Sequence, residues 1–508
     1  MMLIVALVGL WLLRFTLAAD FIDREFARRG VQATYEVKRI GLWRQRFENL
    51  VIGDPENPDL TARWVEIELD WRGFRSPDVS LITARGVRMR GRIVDGRVTL
   101  GQVDRLLPPP SGLPFRLPDQ RVNVADAAIV LDTPGGRIGI SLAGRGNLSH
   151  GFRGHMAAIS RGLRFRECAL AAPEAVVEVA VNRHRPTFVG PASLASLRCD
   201  DDFALERPRM NVNVTLSEAF NSWRGWMRVE AARMEAGPNE LVGVSGRLSL
   251  SGDIAATRGS LDVASAAARI ADIRAASTRV TGDYALSPRR GDLTLDGTLA
   301  MRGVVLGGNA LRPIVEALRS AQGTPVGPVA HALADALTRA ATDGAELGTR
   351  LNVVSRDGHG AATFQDVDIR ARSGARLRIS GGGGFTYAWP GGTLRTDGDF
   401  AVSGGGLPSA RFTLHQARPG APIQGVGRVS PIIVGDSRVA LGEVRFTAEA
   451  DGASRIDTQA VIHGGFRGGR IDGLAIPVRG RIGGGGFAFG ENCVQASFRR
   501  LELEDLVI

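Results

Sequence analysis

The residues best suited to covalent chemistry in this sequence are three cysteines, Cys168, Cys199 and Cys493. An exported chain meets an oxidising compartment, where a Cys168–Cys199 bridge would stabilise the fold by roughly 3–4 kcal/mol. The alternative is that both are free thiols buried as small apolar side chains. If the chain is exported, we expect the bridge and a free thiol at Cys493.

Residue patterns typical of catalytic sites or metal sites are missing from the sequence. The seven histidines have no ligand spacing, there is no G-x-S-x-G nucleophile motif, and no glycine run continues into a phosphate-binding loop. The run at residues 200–202, three aspartates, lacks the spacing of a calcium loop and is better explained as a solvated turn. We therefore predict no catalytic residue, no metal site and no cofactor, and a protein that is not an enzyme.

Composition indicates a large globular or elongated protein. The chain has 508 residues, of which 44% are apolar, and its 65 glycines follow no collagen period. Its net charge is +10, and the positive charge is carried by arginines spread singly along alternating segments. Scattered charge is typical of solvated strand faces, so we predict no nucleic-acid partner.

The amino-terminal run, residues 1–19, is almost wholly apolar and just long enough to cross a bilayer as a helix. Arg14 lies near its end, where a long side chain can reach the head groups. A cleaved signal peptide is the alternative, but the basic head and a good cleavage site are missing. We predict an uncleaved anchor, followed by a short amphipathic helix at residues 20–30 that ends at Gly30.

From residue 31 the apolar period changes from 3.6 to 2, which predicts half-buried strands. Residues 62–71 and 86–93 alternate in this way, and Pro134-Gly135-Gly136 indicates a hairpin. A proline-rich break covers residues 106–118. Two regions of this kind, 31–307 and 344–508, flank a helical hairpin at 308–343.

The hairpin carries one narrow apolar stripe on each arm. The first has Leu311, Ile314, Val315 and Leu318, and the second has Val329, Leu333, Leu337 and Ala340. A flap over an apolar surface is one interpretation. Plain packing on the sheet is the one we favour, because such stripes usually face a core.

Few helices for so many strands leave two architectures open, a closed sandwich or a sheet curled into a groove with its apolar face inside. We predict a mainly β fold in which an anchor helix precedes an elongated, curled antiparallel groove. Its wall would accept acyl chains at roughly 0.8 kcal/mol per buried CH₂. The predicted lining residues are those that alternate with polar neighbours: Val65, Ile67, Leu69, Val87, Met89, Ile138, Ile140, Val212, Val214, Leu248 and Leu250.

The order of segments after the apolar run resembles the YdbH branch of the AsmA-like/TamB superfamily. The segments that carry this resemblance are Phe21-Ile22-Asp23-Arg24-Glu25-Phe26-Ala27-Arg28-Arg29-Gly30, Tyr35-Glu36-Val37-Lys38-Arg39-Ile40-Gly41, Leu50-Val51-Ile52-Gly53-Asp54-Pro55, Pro58-Asp59-Leu60-Thr61-Ala62 and Gly91-Arg92-Ile93-Val94-Asp95-Gly96. The helical hairpin and the pair Cys168 and Cys199 are also similar to that branch.

The resemblance implies a single-pass inner-membrane protein with its body in the periplasm and a hydrophobic β-groove for phospholipid transport between the two membranes. Its partners would be phospholipids, the inner membrane and an outer-membrane protein or lipoprotein. A different function, as the TamB resemblance allows, is assembly of outer-membrane proteins on exposed strand edges. Members of the family are longer, so we expect these 508 residues to be part of a longer protein.

Overall fold

The structure is a computed structural model that describes residues 24–507 apart from 25, 42, 72–76, 95–96, 107–115, 201–202, 288–289, 450–453, 484–485, 490–494 and 504–505. Strands dominate the described residues, which confirms the predicted fold class in its coarse form. The contacts group the chain into unit 1, Met1–Gly237 with Ser245–Ile254, and unit 2, Pro238–Val244 with Ala255–Ile508. The predicted limits of the two β regions stay a prediction.

Unit 1 is built from long paired strands. They are β1 (Ala33–Ile40), β2 (Arg44–Asp54), β3 (Asn57–Trp71), β4 (Pro77–Arg85), β5 (Arg88–Val94), β6 (Arg97–Thr99), β7 (Arg121–Thr133), β8 (Gly136–Asn147), β9 (Arg153–Ile159), β10 (Gly162–Phe165), β11 (Cys168–Ala171), β12 (Glu174–Asn182), β13 (Arg185–Ser193), β14 (Ser196–Cys199), β15 (Phe203–Glu206), β16 (Arg209–Leu216), β17 (Ser222–Ala236) and part of β18 (Asn239–Asp253), with a 3₁₀ helix at Gly101–Leu106.

The pairing in unit 1 departs from the predicted antiparallel sheet at one strand. β7 runs parallel to β4 and to β5, whereas it pairs antiparallel with β8. Parallel neighbours need a crossover connection, and the chain between β5 and β7 supplies one that includes the 3₁₀ helix. The predicted hairpin at Pro134 is confirmed, since Thr133 and Gly136 are register partners of β7 and β8.

The start of unit 1 packs around a small apolar cluster. Val31, Ile52 and Val103 are its buried members, and Phe26 packs against them. Residues 26–28 are helical and Gly30 has φ 65°, as expected of a glycine that ends a helix. The predicted anchor at residues 1–19 lies outside the described residues.

None of the described helices combines the length and the apolarity needed to cross a bilayer.

A disulfide ties together a side branch of short strands in unit 1. Cys168 of β11 and Cys199 of β14 are direct register partners and are bonded, so the predicted bridge is confirmed. β10 pairs with β11, and β15 connects β14 to β17. Cys493 lies outside the described residues, so its free thiol stays a prediction.

We expect Cys168→Ser with Cys199→Ser to destabilise this branch by about 3–4 kcal/mol, because the bridge closes a loop with a sequence separation of 31. Hydrogen exchange of the β11 and β14 amides measures the loss. Treatment of the unmodified protein with a reductant is the control and should give the same increase in exchange. If the β11 and β14 amides exchange no faster in the double variant or in the reduced protein, strand pairing alone holds the branch.

Unit 2 contains the first part of β18 and the strands that come after β18 in the sequence. They are β19 (Thr257–Ser265), β20 (Ala267–Ile270), β21 (Ile273–Ala275), β22 (Ser277–Ser287), β23 (Asp292–Leu306), β24 (Ala345–Arg356), β25 (His359–Ala371), β26 (Arg376–Trp389), β27 (Thr393–Gly404), β28 (Leu407–His415), β29 (Ile423–Val429), β30 (Ile432–Val434), β31 (Ser437–Leu441), β32 (Val444–Ala448), β33 (Ser454–Phe466), β34 (Gly469–Gly483), β35 (Gly486–Phe489), β36 (Arg500–Leu503) and β37 (Leu506–Val507).

Two helices, α1 (Gly308–Ser320) and α2 (Gly327–Thr342), separate β23 from β24 at the predicted position. α2 packs against β23, β28, β30 and β31, so packing on the sheet is confirmed for this arm. Its least exposed residues are Ala334 and Ala336, both 0% exposed, rather than the leucines of the predicted stripe. Small side chains are buried here because α2 lies between the strands and α1.

Candidate functional site

The apolar side of the unit 1 sheet is continuous from strand to strand. Row A is a chain of register partners across β3, β5, β7, β8, β9, β12, β13, β16 and β17. Its members are Leu60, Met89, Ile129, Ile140, Ala158, Ala175, Ala192, Met210 and Val229. Because register partners share a sheet face, this row is apolar throughout.

A second row, row B, crosses β1, β2, β3, β4, β7, β8, β9, β12, β13, β16 and β17 at another level. Its members are Val37, Phe47, Val65, Ala84, Val124, Gly144, Gly154, Val179, Phe188, Val214 and Gly225. Ile140 and Gly144 are four residues apart in the regular strand β8, so the two rows lie on one face. We call this surface the apolar face of unit 1.

A β-bulge at Asp126 keeps both halves of β7 on this face. Val124 and Ile129 are five residues apart, so strict alternation would place them on opposite sides of the sheet. Asp126 has φ 56°, and the β7–β8 register shifts between Val124 and Ala127. Arg88 holds the bulge, donating to the Asp126 carbonyl at 2.6 Å and to its carboxylate at 2.9 Å.

Glycines in row B let an aromatic ring lie directly on the backbone. A Cβ added at Gly144 would come within 2.5 Å of Phe152 Cζ, and one added at Gly154 within 2.8 Å of the Gly144 Cα atom. Phe152 is 4% exposed and packs with Val177, Val179 and Val181. A buried cluster of the apolar face therefore lies over these glycines.

Most of the apolar face is only half-buried. Of the eleven residues predicted to line a groove, Leu250 is 8% exposed and the others have intermediate exposure. Within the described part of the chain, no large side chain is less than 2% exposed. The core of a closed sandwich contains large side chains with no exposure, and the described residues of this face are less buried than that.

The register brings many of the predicted lining residues together. Val65 and Val214 are members of row B, Met89 and Ile140 are members of row A, and Val212 pairs with Met227 beside them. The remaining predicted residues lie in or next to strands of the same unit: Ile67 opposite Ile82, Leu69 opposite Val79, Ile138 opposite Leu131, Val87 just before β5, and Leu248 and Leu250 in β18. Their role as a lipid-binding lining stays a prediction.

Sequence reasoning missed the small residues of both rows and a corresponding apolar row in unit 2. That row consists of Met301, Leu347, Ile369, Leu377, Val402, Ala410 and Val429, again direct register partners. A bulge residue, Asp366 with φ 50°, lies between Phe364 and Val367 of β25, where the register with β26 shifts. Alternation within each strand was the available signal, whereas the alanines and glycines carry little signal by themselves.

The opposite face of unit 1 carries the charges. Its side chains include Arg88, Arg90, Arg145, Arg153, His155, Glu174, Glu178, Arg209, Arg224 and Arg228, each next in sequence to a residue of the apolar face. Some are paired, as Arg137 is with Asp132 at 2.7 Å. The hydrogen bond from Arg137 lowers the pKa of the Asp132 carboxyl. We call this the charged face of unit 1.

Unit 2 has a tighter charge cluster around Asp368. Arg376 and Arg370 each donate to its carboxylate at 2.8 Å, and Arg378 lies 3.8 Å away. The hydrogen bonds from Arg376 and then Arg370 hold the pKa of Asp368 well below its usual range. The carboxyl side chain is 27% exposed, so solvent screens these pairs.

We expect Asp368→Asn to lower the melting temperature by roughly 1–3 °C at pH 7. A carboxyl group whose pKa is lower in the folded state than in the unfolded state stabilises the fold at pH values above its unfolded pKa, near 3.9. That stabilisation is lost as the pH falls through the pKa of the folded state. The difference between variant and unmodified protein should therefore shrink below about pH 4. Melting curves at pH 7 and pH 3 measure it, and an equal difference at both would contradict the ion-pair explanation.

Over residues 1–225 the chain matches the family model YdbH-like, described as "Intermembrane phospholipid transport protein YdbH". The resemblance stated from the sequence is confirmed over those residues, which include all of row B and all of row A except Val229. No curated protein and no solved structure matches the chain.

Proposed function

We propose that the apolar face of unit 1 carries phospholipid acyl chains between the inner and outer membranes. In this proposal the residues before β1 hold the protein in the inner membrane and the strands lie in the periplasm. The observation that supports it best is the pair of unbroken, half-exposed rows A and B, within the segment that matches a family named for phospholipid transport.

The physics of the face suits an extended hydrocarbon chain. Each CH₂ group removed from water contributes roughly 0.8 kcal/mol, and the attraction has no preferred direction. Rows A and B offer that attraction at successive strands without a polar side chain in the path. An acyl chain can therefore move from one strand to the next without meeting a desolvated charge.

The disulfide adds support for the periplasm. Disulfides form and persist in oxidising compartments, of which the periplasm is one. Cys168 and Cys199 lie in the part of the chain that matches the family. The bridge thus agrees with export, as the proposed location requires.

Site-specific photocrosslinking tests the proposal. A benzophenone side chain at Ile140, which points to the apolar face, should form phospholipid adducts in cells on irradiation. Ser141, its exposed neighbour on the charged face, is the matched control and should give none above background. Mass spectrometry of the purified full chain identifies the adducts.

Equal lipid adducts at both positions, or none at either, would contradict a lipid path on this face. Adducts from Ile140 to an outer-membrane barrel protein instead of lipid would favour the other candidate, an assembly factor for outer-membrane proteins.

A further inference from the structure

A cavity of about 520 Å³ opens on the charged face of unit 1. Five polar side chains of β7, β8, β9 and β12 line it, namely Asn123, Arg145, Arg153, His155 and Glu178. Each of them is next in sequence to a member of row B. Because successive side chains of a strand point to opposite faces, these five point away from the apolar face. Val124, Gly144, Gly154 and Val179 of row B also line the cavity, so the cavity and the apolar face share these strand positions.

Two of these side chains are arginines that face each other. Arg145 and Arg153 are direct register partners in β8 and β9. Like charges directly opposite are destabilising, because their Cβ atoms lie only about 5 Å apart. Among the described residues neither guanidinium forms an ion pair or a hydrogen bond, whereas Arg88 on the same face is paired with Asp126.

The cavity also contains one carboxylate, at a defined distance from the arginines. Glu178 is the register partner of His155, and Ala180 is the partner of Arg153. Glu178 is thus displaced from the arginine pair by two residues along the strand, which is about 7 Å. The lining therefore presents two positive groups at one end and one negative group at the other.

We propose that this cavity binds a phosphoethanolamine-type group, a phosphate ester with an ammonium a few bonds away. The two guanidinium groups bracket the phosphate, since their planar forks match its oxygens and make charge-assisted hydrogen bonds. The anion relieves the repulsion between Arg145 and Arg153. Glu178 accepts from the ammonium, and Asn123 is placed to donate to a remaining phosphate oxygen.

Such a group exists both as a small soluble ester and as the head group of a phospholipid at a membrane surface. The recognition chemistry is the same in both cases, so the experiment has one arm for each source. Ile140 is not among the residues that line the cavity, so the outcome at this site leaves the test at Ile140 unaffected.

Calorimetric titration of the full chain in a phosphate-free detergent tests the chemistry, with O-phosphoethanolamine as the probe. Arg145→Gln and Arg153→Gln should each weaken binding by about tenfold or more, as expected when a charge-assisted hydrogen bond is lost. Glu178→Gln should weaken phosphoethanolamine but not inorganic phosphate. Arg224→Gln, an exposed arginine of the same face outside the cavity, is the matched control and should bind as the unmodified protein does.

Binding that is unchanged in both cavity arginine variants, or weakened equally by Arg224→Gln, would overturn the proposal. No binding of the soluble probe would overturn it as well, unless the footprint described next shows the head group at the site.

Chemical footprinting of arginines with phenylglyoxal distinguishes the two sources. Free O-phosphoethanolamine should protect Arg145 and Arg153, but not Arg224, from modification. Protection by phosphatidylethanolamine vesicles, and not by vesicles of a galactolipid without phosphate, assigns the group to a membrane surface. Protection by the soluble ester alone assigns it to a free ligand, and protection by neither refutes the site.

Discussion

We expect Ile140→Asp to leave the protein folded and to lower phospholipid transfer at least about tenfold. Ile140 lies in row A between Ile129 and Ala158 and is half-buried. A carboxylate at a half-exposed position keeps part of its hydration, so the destabilisation should be roughly 1–3 kcal/mol. An acyl chain that passes it must remove that remaining water, which raises the barrier by more than the 1.4 kcal/mol of a tenfold change.

Transfer of a fluorescent phospholipid between donor and acceptor vesicles measures the rate, and circular dichroism reports the fold. Ser141→Asp is the matched control, because the same charge then lies on the exposed, charged face. It should transfer lipid at the unmodified rate. Global unfolding of Ile140→Asp would identify this position as a sandwich core, and normal transfer by the folded variant would remove row A from the lipid path.

We expect Phe152→Ala to cause the largest loss of stability of any single truncation in unit 1, about 3–5 kcal/mol. Its ring is 4% exposed and lies against the backbone of Gly144 and against the Val177–Val181 side of β12. Truncation leaves a cavity that these neighbours cannot fill, because Gly144 has no side chain to extend into it. Hydrogen exchange of the β12 amides in urea reports the local free energy of opening.

Phe165→Ala is the control for aromatic truncation, since that ring is 65% exposed. It should change stability by less than about 0.5 kcal/mol. A similar effect of both substitutions would mean that the cluster around Phe152 does not anchor the sheet.

Local patterns in the sequence were enough to predict several of the strands and both helices. Alternation over residues 62–71 predicts a strand that the structure extends to Asn57–Trp71, and Pro134-Gly135-Gly136 predicts the β7–β8 turn. Helical spacing around Leu311 and Val329 predicts α1 and α2. These signals are local because one strand face, one turn or one helical stripe depends on residues a few positions apart.

The tertiary structure alone decided which apolar residues share a face. Val124 and Ile129 have opposite parity in the sequence, and only the bulge at Asp126, fixed by Arg88 from a different strand, places both on the apolar face. The parallel pairing of β7 with β4 and β5 likewise depends on a crossover between distant segments. Alternation predicts orientation within one strand, but register, bulges and strand order come from hydrogen bonds between strands, which a single sequence does not show.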